Sequence, residues 1–505
     1  MRLIVLFILC LSWHSYAVKI DRSLIHRYKS ELYDYKRVLY FYDKNNNKPV
    51  WLDNTEKVKK FEELIEASKF YGLNPYSYKV KERNNDIKSE ILLTDRVIKL
   101  VYDNYFGVIN PKDVYPTWNY ERKEDNLLEK LLIWLNNNKL PDVLELSSPK
   151  YQQYKHLSIA LQKYYSLIEN GFNLKKIKLK ETLKYGDKNP QIEYIKKYLT
   201  ILGDYKGNNF DENFEEELLE AIKKFQERHG LKVDGIIGKE TLRELNTPIE
   251  DRIKAIKVNM EKIRWLPERL YPNRIEINIP SFDLKFYIED KPEIKMKIIV
   301  GKNYIEDFRP TPIYQGLLRE LVINPYWYTP DKIAAKDILP KIKKNPNFLK
   351  ENNFKVFYKG KEINPSTVNW KLFTENYFPF KLVQLPGSKN ALGKIKFSFD
   401  NPFGVYLHDT PHKELFGEHI RAFSSGCIRV EDAKNLAERI LLIENYDLNL
   451  FESLLQGSET KKISIKSKIM VNILYFTVNY ENENIYFFKD IYRYDKIISD
   501  KLSLR

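Results

Sequence analysis

Cysteine is almost missing from this chain. Among 505 residues there are two, Cys10 and Cys427, too few for a disulfide framework. Long apolar runs are missing as well: Leu3 to Trp13 spans about eleven residues, short of the roughly twenty that a membrane helix needs. Low-complexity tracts and internal repeats are absent. Histidine is scarce, seven in all, which leaves little material for a metal centre. The one cluster worth weighing as a zinc set is His408, His412, His419 and Cys427, and Pro411 inside its HxxxH breaks the regular helix that such a spacing needs. The formal charge of +15 favours anionic surroundings. No basic cluster is interleaved with a nucleic-acid-binding motif, so a nucleic-acid partner is not expected. An anionic polymer bearing peptide carboxylates suits the charge equally well.

What is present begins with the first seventeen residues. Met1-Arg2 is a short positive region, Leu3 to Trp13 an apolar core, and Ser15-Tyr16-Ala17 a small-residue cleavage site. This is the pattern of a secretory signal peptide over 1–17. Its removal takes Cys10 with it and leaves no transmembrane segment. Cys427 then stands as a single unpaired thiol on an exported protein, a setting in which a leftover cysteine is a candidate reactive group.

At 60.4 kDa the chain has room for three or four domains. Residues 18–182 alternate helical-period stretches, Lys57 to Phe70 and Gln152 to Ile168 among them, with short breaks such as Gly72-Leu73-Asn74-Pro75. Residues 183–248 carry a clear helical phase at Ile192, Ile195 and Leu199 and again at Leu218, Ala221, Ile222 and Phe225, with Gly230 placed as a helix-ending glycine. From about Asp251 one further helix leads to Pro267. Period-two alternation then takes over at Ile275-Ile277-Ile279 and Leu284-Phe286-Ile288, which predicts strands. A Lys-rich segment over 324–385, expected to be helical, interrupts them. The tail, 458–505, predicts a hairpin of aromatic strands turning at Glu481 to Asn484.

The chemistry is concentrated between Gly404 and Arg429. Thiol acyl chemistry needs a sulfur, a base for its proton and donors for an oxyanion. Cys427 is the candidate nucleophile, His408 the candidate base, and Gly426 leaves bare backbone whose N–H groups can face a tetrahedral intermediate. VYLHD reads as a strand with Tyr406 and His408 on one face. Val430 to Glu444 reads as a helix, which would put Cys427 at its positive end. A lone cysteine is more often a small buried hydrophobe, so composition alone does not decide.

The spacing H-x15-S-S-G-C-I-R resembles the signature of the L,D-transpeptidase (YkuD) catalytic family. Ser424, Gly426, Cys427 and Arg429 match it, and Ser425 stands where many members carry histidine. Asn324 to Ile342, Gln384 to Phe399 and Val405 to Pro411 resemble the large YcbB-like branch, as do pieces of the N-terminal region and the tail. AIKKFQERHGLKVDGIIGKETLRELN resembles the peptidoglycan-binding type 1 module.

The resemblance implies a multidomain α+β protein. It would comprise a helical scaffold (18–182), a three-helix peptidoglycan-binding module (183–248), and a β-rich catalytic domain (249–457) with a helical capping insertion at about 324–385, followed by a C-terminal β tail (458–505). It implies a periplasmic, cell-wall-associated cysteine acyltransferase. The enzyme would join a tetrapeptide donor to a diamino-acid acceptor in a 3→3 cross-link through a thioester, releasing D-alanine, with no metal or organic cofactor. Other cell-wall synthesis proteins are its expected partners. A carboxypeptidase, an enzyme anchoring proteins to the wall, and a non-catalytic wall-binding protein remain open beside it. Arg429 either pairs with a substrate carboxylate or is structural, and Tyr406 lines the donor groove or fills the core. Ser424 and Ser425 shape the turn, and Tyr326 and Trp327 are groove-floor candidates with an equal claim to the core.

Overall fold

A computed structural model describes residues 18–81, 84–172 and 175–503. The expected signal peptide, with Cys10, lies outside them. The described chain forms two compact units. The first holds residues up to Val108 together with Lys123–Lys150, and it is helical. Its central helix, Ile87–Phe106, starts where the Asp86 carboxylate accepts the Ser89 N–H and stops at Gly107. Its apolar faces bury Ile91, Val97, Ile98 and Val101 against Phe41, Trp51 and Phe61. Glu90 is buried on this helix, and it accepts the backbone N–H groups of Val50, Trp51 and Leu52. A charge so placed is tolerable because hydrogen bonds satisfy it.

The second unit holds Ile109–Arg122 and Tyr151–Leu504. Part of the region expected to be one scaffold therefore packs here: Thr117 Oγ1 donates to the Ile313 carbonyl and Tyr120 to that of Ile473. A helical module follows, Gln191–Leu202, Glu216–Arg228 and Lys239–Leu245, around Ile192, Ile195, Leu199, Leu218, Ile222 and Phe225. Gly203 ends the first of these helices at φ 87°, a left-handed conformation that glycine adopts without strain. Gln226 ties the following loop by accepting the N–H groups of Asp234 and Gly235 and donating to Ile236 and Thr241.

The remainder is built on strands β1 (Arg274–Asn278), β2 (Asp283–Ile288), β3 (Lys291–Gly301), β4 (Gln315–Ile323), β5 (Trp327–Tyr328), β6 (Phe354–Tyr358), β7 (Lys361–Ile363), β8 (Phe380–Gln384), β9 (Ile395–Phe399), β10 (Leu407–His408), β11 (Ala422–Ser424), β12 (Ile428–Val430), β13 (Lys461–Ser464), β14 (Met470–Leu474), β15 (Val478–Glu481) and β16 (Asn484–Phe487). The large sheet runs β11-β3-β12-β10-β9-β4-β14-β1-β2, and β3 also pairs with β2. That last pairing closes the strands into a ring and leaves few exposed edges. The expected fold class is thus present: helical N-terminal region, helical module, β-rich C-terminal domain.

Three local expectations are corrected. The 324–385 insertion is only partly helical. It contains the four-stranded sheet β5-β8-β6-β7, packed on helices around Ala334, Ile338, Ile342, Val356 and Leu382. Its strands FKVFY and FKLVQ alternate buried and open positions, a period-two signal hidden by the lysines around it. The tail does form the β15–β16 hairpin, turning through Asn482 (φ 49°) and Glu483 (φ 60°). However, β14 lies inside the large sheet, parallel to β1, and β13 pairs with β4. Finally, Cys427 does not precede a helix directly. Strand β12 intervenes, and the helix is Ala433–Ile443, whose start is set by the Asp432 carboxylate accepting the Asn435 N–H.

Candidate active site

Strand β10 lies between β9 and β12. His408 is opposite Lys396 of β9 in the antiparallel ladder and opposite Arg429 of β12 in the parallel one. Residues paired across neighbouring strands share a face, so Lys396, His408 and Arg429 form a row. His408 is buried, and its Nδ1 donates to the backbone carbonyl of Asp409 at 2.5 Å. A carbonyl can only accept, so Nδ1 carries the proton and Nε2 presents a lone pair. Burial, with the charge of Arg429 next and Lys396 adding, pushes the imidazole pKa down to about 3. The ring is neutral at ordinary pH. The Asp409 carboxylate is committed elsewhere, accepting from the Lys394 N–H at 2.9 Å and from Lys413 Nζ at 2.6 Å.

The turn that carries the candidate nucleophile runs from β11 to β12 through Ser425, Gly426 and Cys427. Gly426 sits at φ 116°, a conformation that side chains rarely adopt. Ser424 Oγ donates to the Cys427 carbonyl at 2.5 Å and accepts the Gly426 N–H at 3.1 Å. This corrects one sequence expectation: the Gly426 N–H is occupied, and the glycine serves the backbone path. No hydrogen bond from the Cys427 N–H is found among the described residues, which makes it the available oxyanion donor of the turn. Thr311 Oγ1 pins the turn by donating to the Gly426 carbonyl at 2.9 Å, and Tyr492 braces Thr311, accepting its N–H while donating to the Gly301 carbonyl.

The Cys427 thiol is free and partly exposed. Burial pushes its pKa up; the polar groups of Tyr406 and the charges of Lys396 and Arg429 act against that. The Tyr406 ring lies 5.7 Å from that of His408. Arg429 has its Nε buried with no partner among the described residues.

Cys427, His408, Tyr406, Arg429, Trp327, Ser424 and Ser425 all line one cavity of about 860 Å³ between the closed sheet and the 324–385 insertion. Lys302, Arg309, Lys332, Lys336, Lys341 and Lys389 make its wall cationic, with Asp337 the acidic group among them. Tyr326 is not brought into the cavity. It is 42% exposed and stacks loosely on Tyr328 instead, since adjacent residues on an extended segment point to opposite sides.

Sequence reasoning missed two groups. Arg309 donates to Ser425 Oγ at 2.8 Å and pairs with Asp307 and Asp337, and no motif marks it. Lys396 alternates with buried Ile395 and Phe397, which reads as an ordinary solvent-facing lysine. Of the other histidines considered, His412 lies beside Glu414 and His419 beside Glu240, and no group suited to a metal ion is found among the described residues.

Three family descriptions match this chain: a scaffold domain over 36–161, a "Putative peptidoglycan binding domain" over 188–245, and the L,D-transpeptidase catalytic domain (YkuD) over 272–461. The chain carries a YkuD L,D-transpeptidase catalytic domain. A "Putative L,D-transpeptidase" of Haemophilus influenzae is 34% identical over 247 residues, and the match spans 49% of this chain and 49% of that protein. Among solved structures, the L,D-transpeptidase (Yku) from Stackebrandtia nassauensis is 15% identical over 60% of this chain and 97% of its own, with a TM-score of 0.23. The L,D-transpeptidase from Xylanimonas cellulosilytica is 13% identical over 59% and 100%, with a TM-score of 0.18. The matched range 272–461 includes every cavity-wall residue named above, while Tyr492, which braces Thr311, lies beyond it.

Proposed function

We propose that this protein is a peptidoglycan L,D-transpeptidase forming 3→3 cross-links. The observation that carries the reading is the common cavity wall: a free thiol, a neutral buried imidazole with an open Nε2, and an unengaged backbone N–H, inside a domain of the transpeptidase family.

In the first step the Cys427 thiol passes its proton to His408 Nε2, and the sulfur attacks the carbonyl carbon of the donor's third residue. The Cys427 N–H faces the developing oxyanion. The C–N bond to the terminal D-alanine breaks, His408 returns the proton to the leaving amine, and a thioester remains. In the second step His408 takes a proton from the side-chain amine of an acceptor diamino acid. That nitrogen attacks the thioester, an amide forms, and the thiolate leaves to recover a proton. The cationic wall suits stem peptides, which carry free carboxylates. Arg429, with its unpartnered Nε, Trp327 and Tyr406 are the substrate-binding residues of this reading. The module at 188–245 would hold the enzyme at the wall, and the seventeen N-terminal residues would deliver it to the periplasm, where other cell-wall synthesis proteins are its expected partners.

Mass spectrometry of products from disaccharide-tetrapeptide tests this. The protein should yield a dimer lighter by one D-alanine, and Cys427→Ala should yield none. Dimer from the alanine variant would end the mechanism. Tripeptide alone would make water the acceptor and the enzyme a carboxypeptidase.

A further inference from the structure

A neutral His408 leaves the thiolate without the imidazolium partner that thiol enzymes commonly use. The row across β9, β10 and β12 supplies another. Lys396 is a half-buried lysine whose ammonium pairs with no carboxylate among the described residues. Its Nζ lies over the Tyr406 ring, 4.2 Å from the centroid, and the Tyr406 carbonyl accepts the N–H of Ile428, the residue next to Cys427, at 3.1 Å. The strand register fixes its place, directly across from His408. A lysine held partly out of water with no counter-ion is an expensive arrangement, and the group its charge acts on most strongly is Cys427, ahead of Glu320.

We propose that Lys396 is a positioning residue of this site: its ammonium, held against Tyr406, supplies the positive charge against which the Cys427 thiolate forms, leaving His408 free to remain a neutral base. The proposal rests on Cys427 being the nucleophile. The other charged or titratable groups acting on the sulfur are Arg429 from β12 and Tyr406 just before β10, and His408 lines the same cavity. Glu414 acts on Arg429, and Glu320 and Lys462 act on Lys396, from further away. Arg429 contributes in the same direction as Lys396. What sets Lys396 apart is its cation–π seat on Tyr406, the residue whose backbone is bonded to the strand just after Cys427.

The test is the rate of Cys427 alkylation by iodoacetamide as a function of pH, which reports the thiolate fraction and needs no peptide substrate. Lys396→Met should move the titration upward by about one unit or more, a roughly tenfold slower reaction at pH 7. Lys396→Arg should stay close to the parent profile, which a purely structural role would not require. If Lys396→Met does not fold, Lys396→Gln tests the same point with a polar side chain. His408→Gln provides the contrast, and its shift should be the smaller one. A Lys396→Met or Lys396→Gln profile superimposable on the parent, or a larger shift in His408→Gln, would overturn the proposal. These outcomes are separate from the product assay: alkylation can respond as expected while no dimer forms, in which case the functional reading fails and the thiol chemistry stands.

Discussion

At the residue scale, the two candidate reacting groups are legible because their spacing and neighbours form a signature, whereas the charged groups around them are not. Lys396 looks like any outward lysine on a strand, and only the register of β9 against β10 places it beside His408. The Asp409 side chain shows the opposite case: it neighbours His408 in sequence, yet its carboxylate is spent on the Lys394 N–H and Lys413 while its backbone carbonyl orients the imidazole. Asp409→Asn leaves that carbonyl unchanged and keeps an oxygen for Lys394. What it removes is a partly exposed ion pair to Lys413, worth up to about 1 kcal/mol. Transpeptidation by Asp409→Asn should therefore remain within about fivefold of the parent, since 1 kcal/mol is less than one decade in rate. A loss of several hundredfold in the tetrapeptide assay would mean that the carboxylate acts on the histidine after all.

At the scale of elements, periodicity located most helices and the first strands, and failed where local and tertiary preferences diverge. The stretch Val430 to Glu444 reads as a helix, but the β-branched Ile428 and Val430 are drawn into the gap between β10 and β3, so the helix starts only at Ala433. In the insertion, lysines flank the short strands and mask their alternation. The structure also shows what ties that insertion to the closed sheet, which no sequence pattern indicated. Arg309 pairs with Asp337 and Lys336 with Asp307, and Arg309 reaches on to Ser425. Asp337→Asn removes the charge from one half of this reciprocal pair. The expected penalty lies between about 1 kcal/mol for an exposed pair and about 3 kcal/mol for a buried one. Amide hydrogen exchange should quicken across Ala334–Lys344 while β10 and β12 keep their protection. Unchanged exchange in the insertion would show that apolar packing alone holds it.

At the scale of the whole molecule, the order of the sheet differs most from the order of the chain. Residues 458–505 were readable as aromatic strands, but nothing in their own sequence says where they pair. Pairing is a long-range property: Asn278 Nδ2 donates to the Phe476 carbonyl across 198 residues, and β14 sits between β1 and β4. Contacts of this separation are reached late and at an entropic cost, so the sheet cannot close until the last strands arrive. Tyr492 extends the dependence to the candidate site, because its hydroxyl bridges Gly301 and Thr311 beneath the turn that carries Cys427. A chain ending at Gly457 should therefore do more than lose a tail. It would expose both edges that β14 now covers, leave Ile275, Ile277 and Leu318 open to water, and remove the brace of Thr311. The expected result is an aggregating protein with no cooperative thermal transition for the sheet domain. A truncated chain that stays soluble and melts cooperatively would show that β1 and β4 can pair without β14. Tyr492→Phe separates the two roles: it should melt as a folded protein, since the ring packing survives, but lose hydrogen bonds to Gly301 and Thr311, together worth about 1–3 kcal/mol, and alkylate Cys427 with an altered rate because the turn beneath the sulfur is no longer pinned.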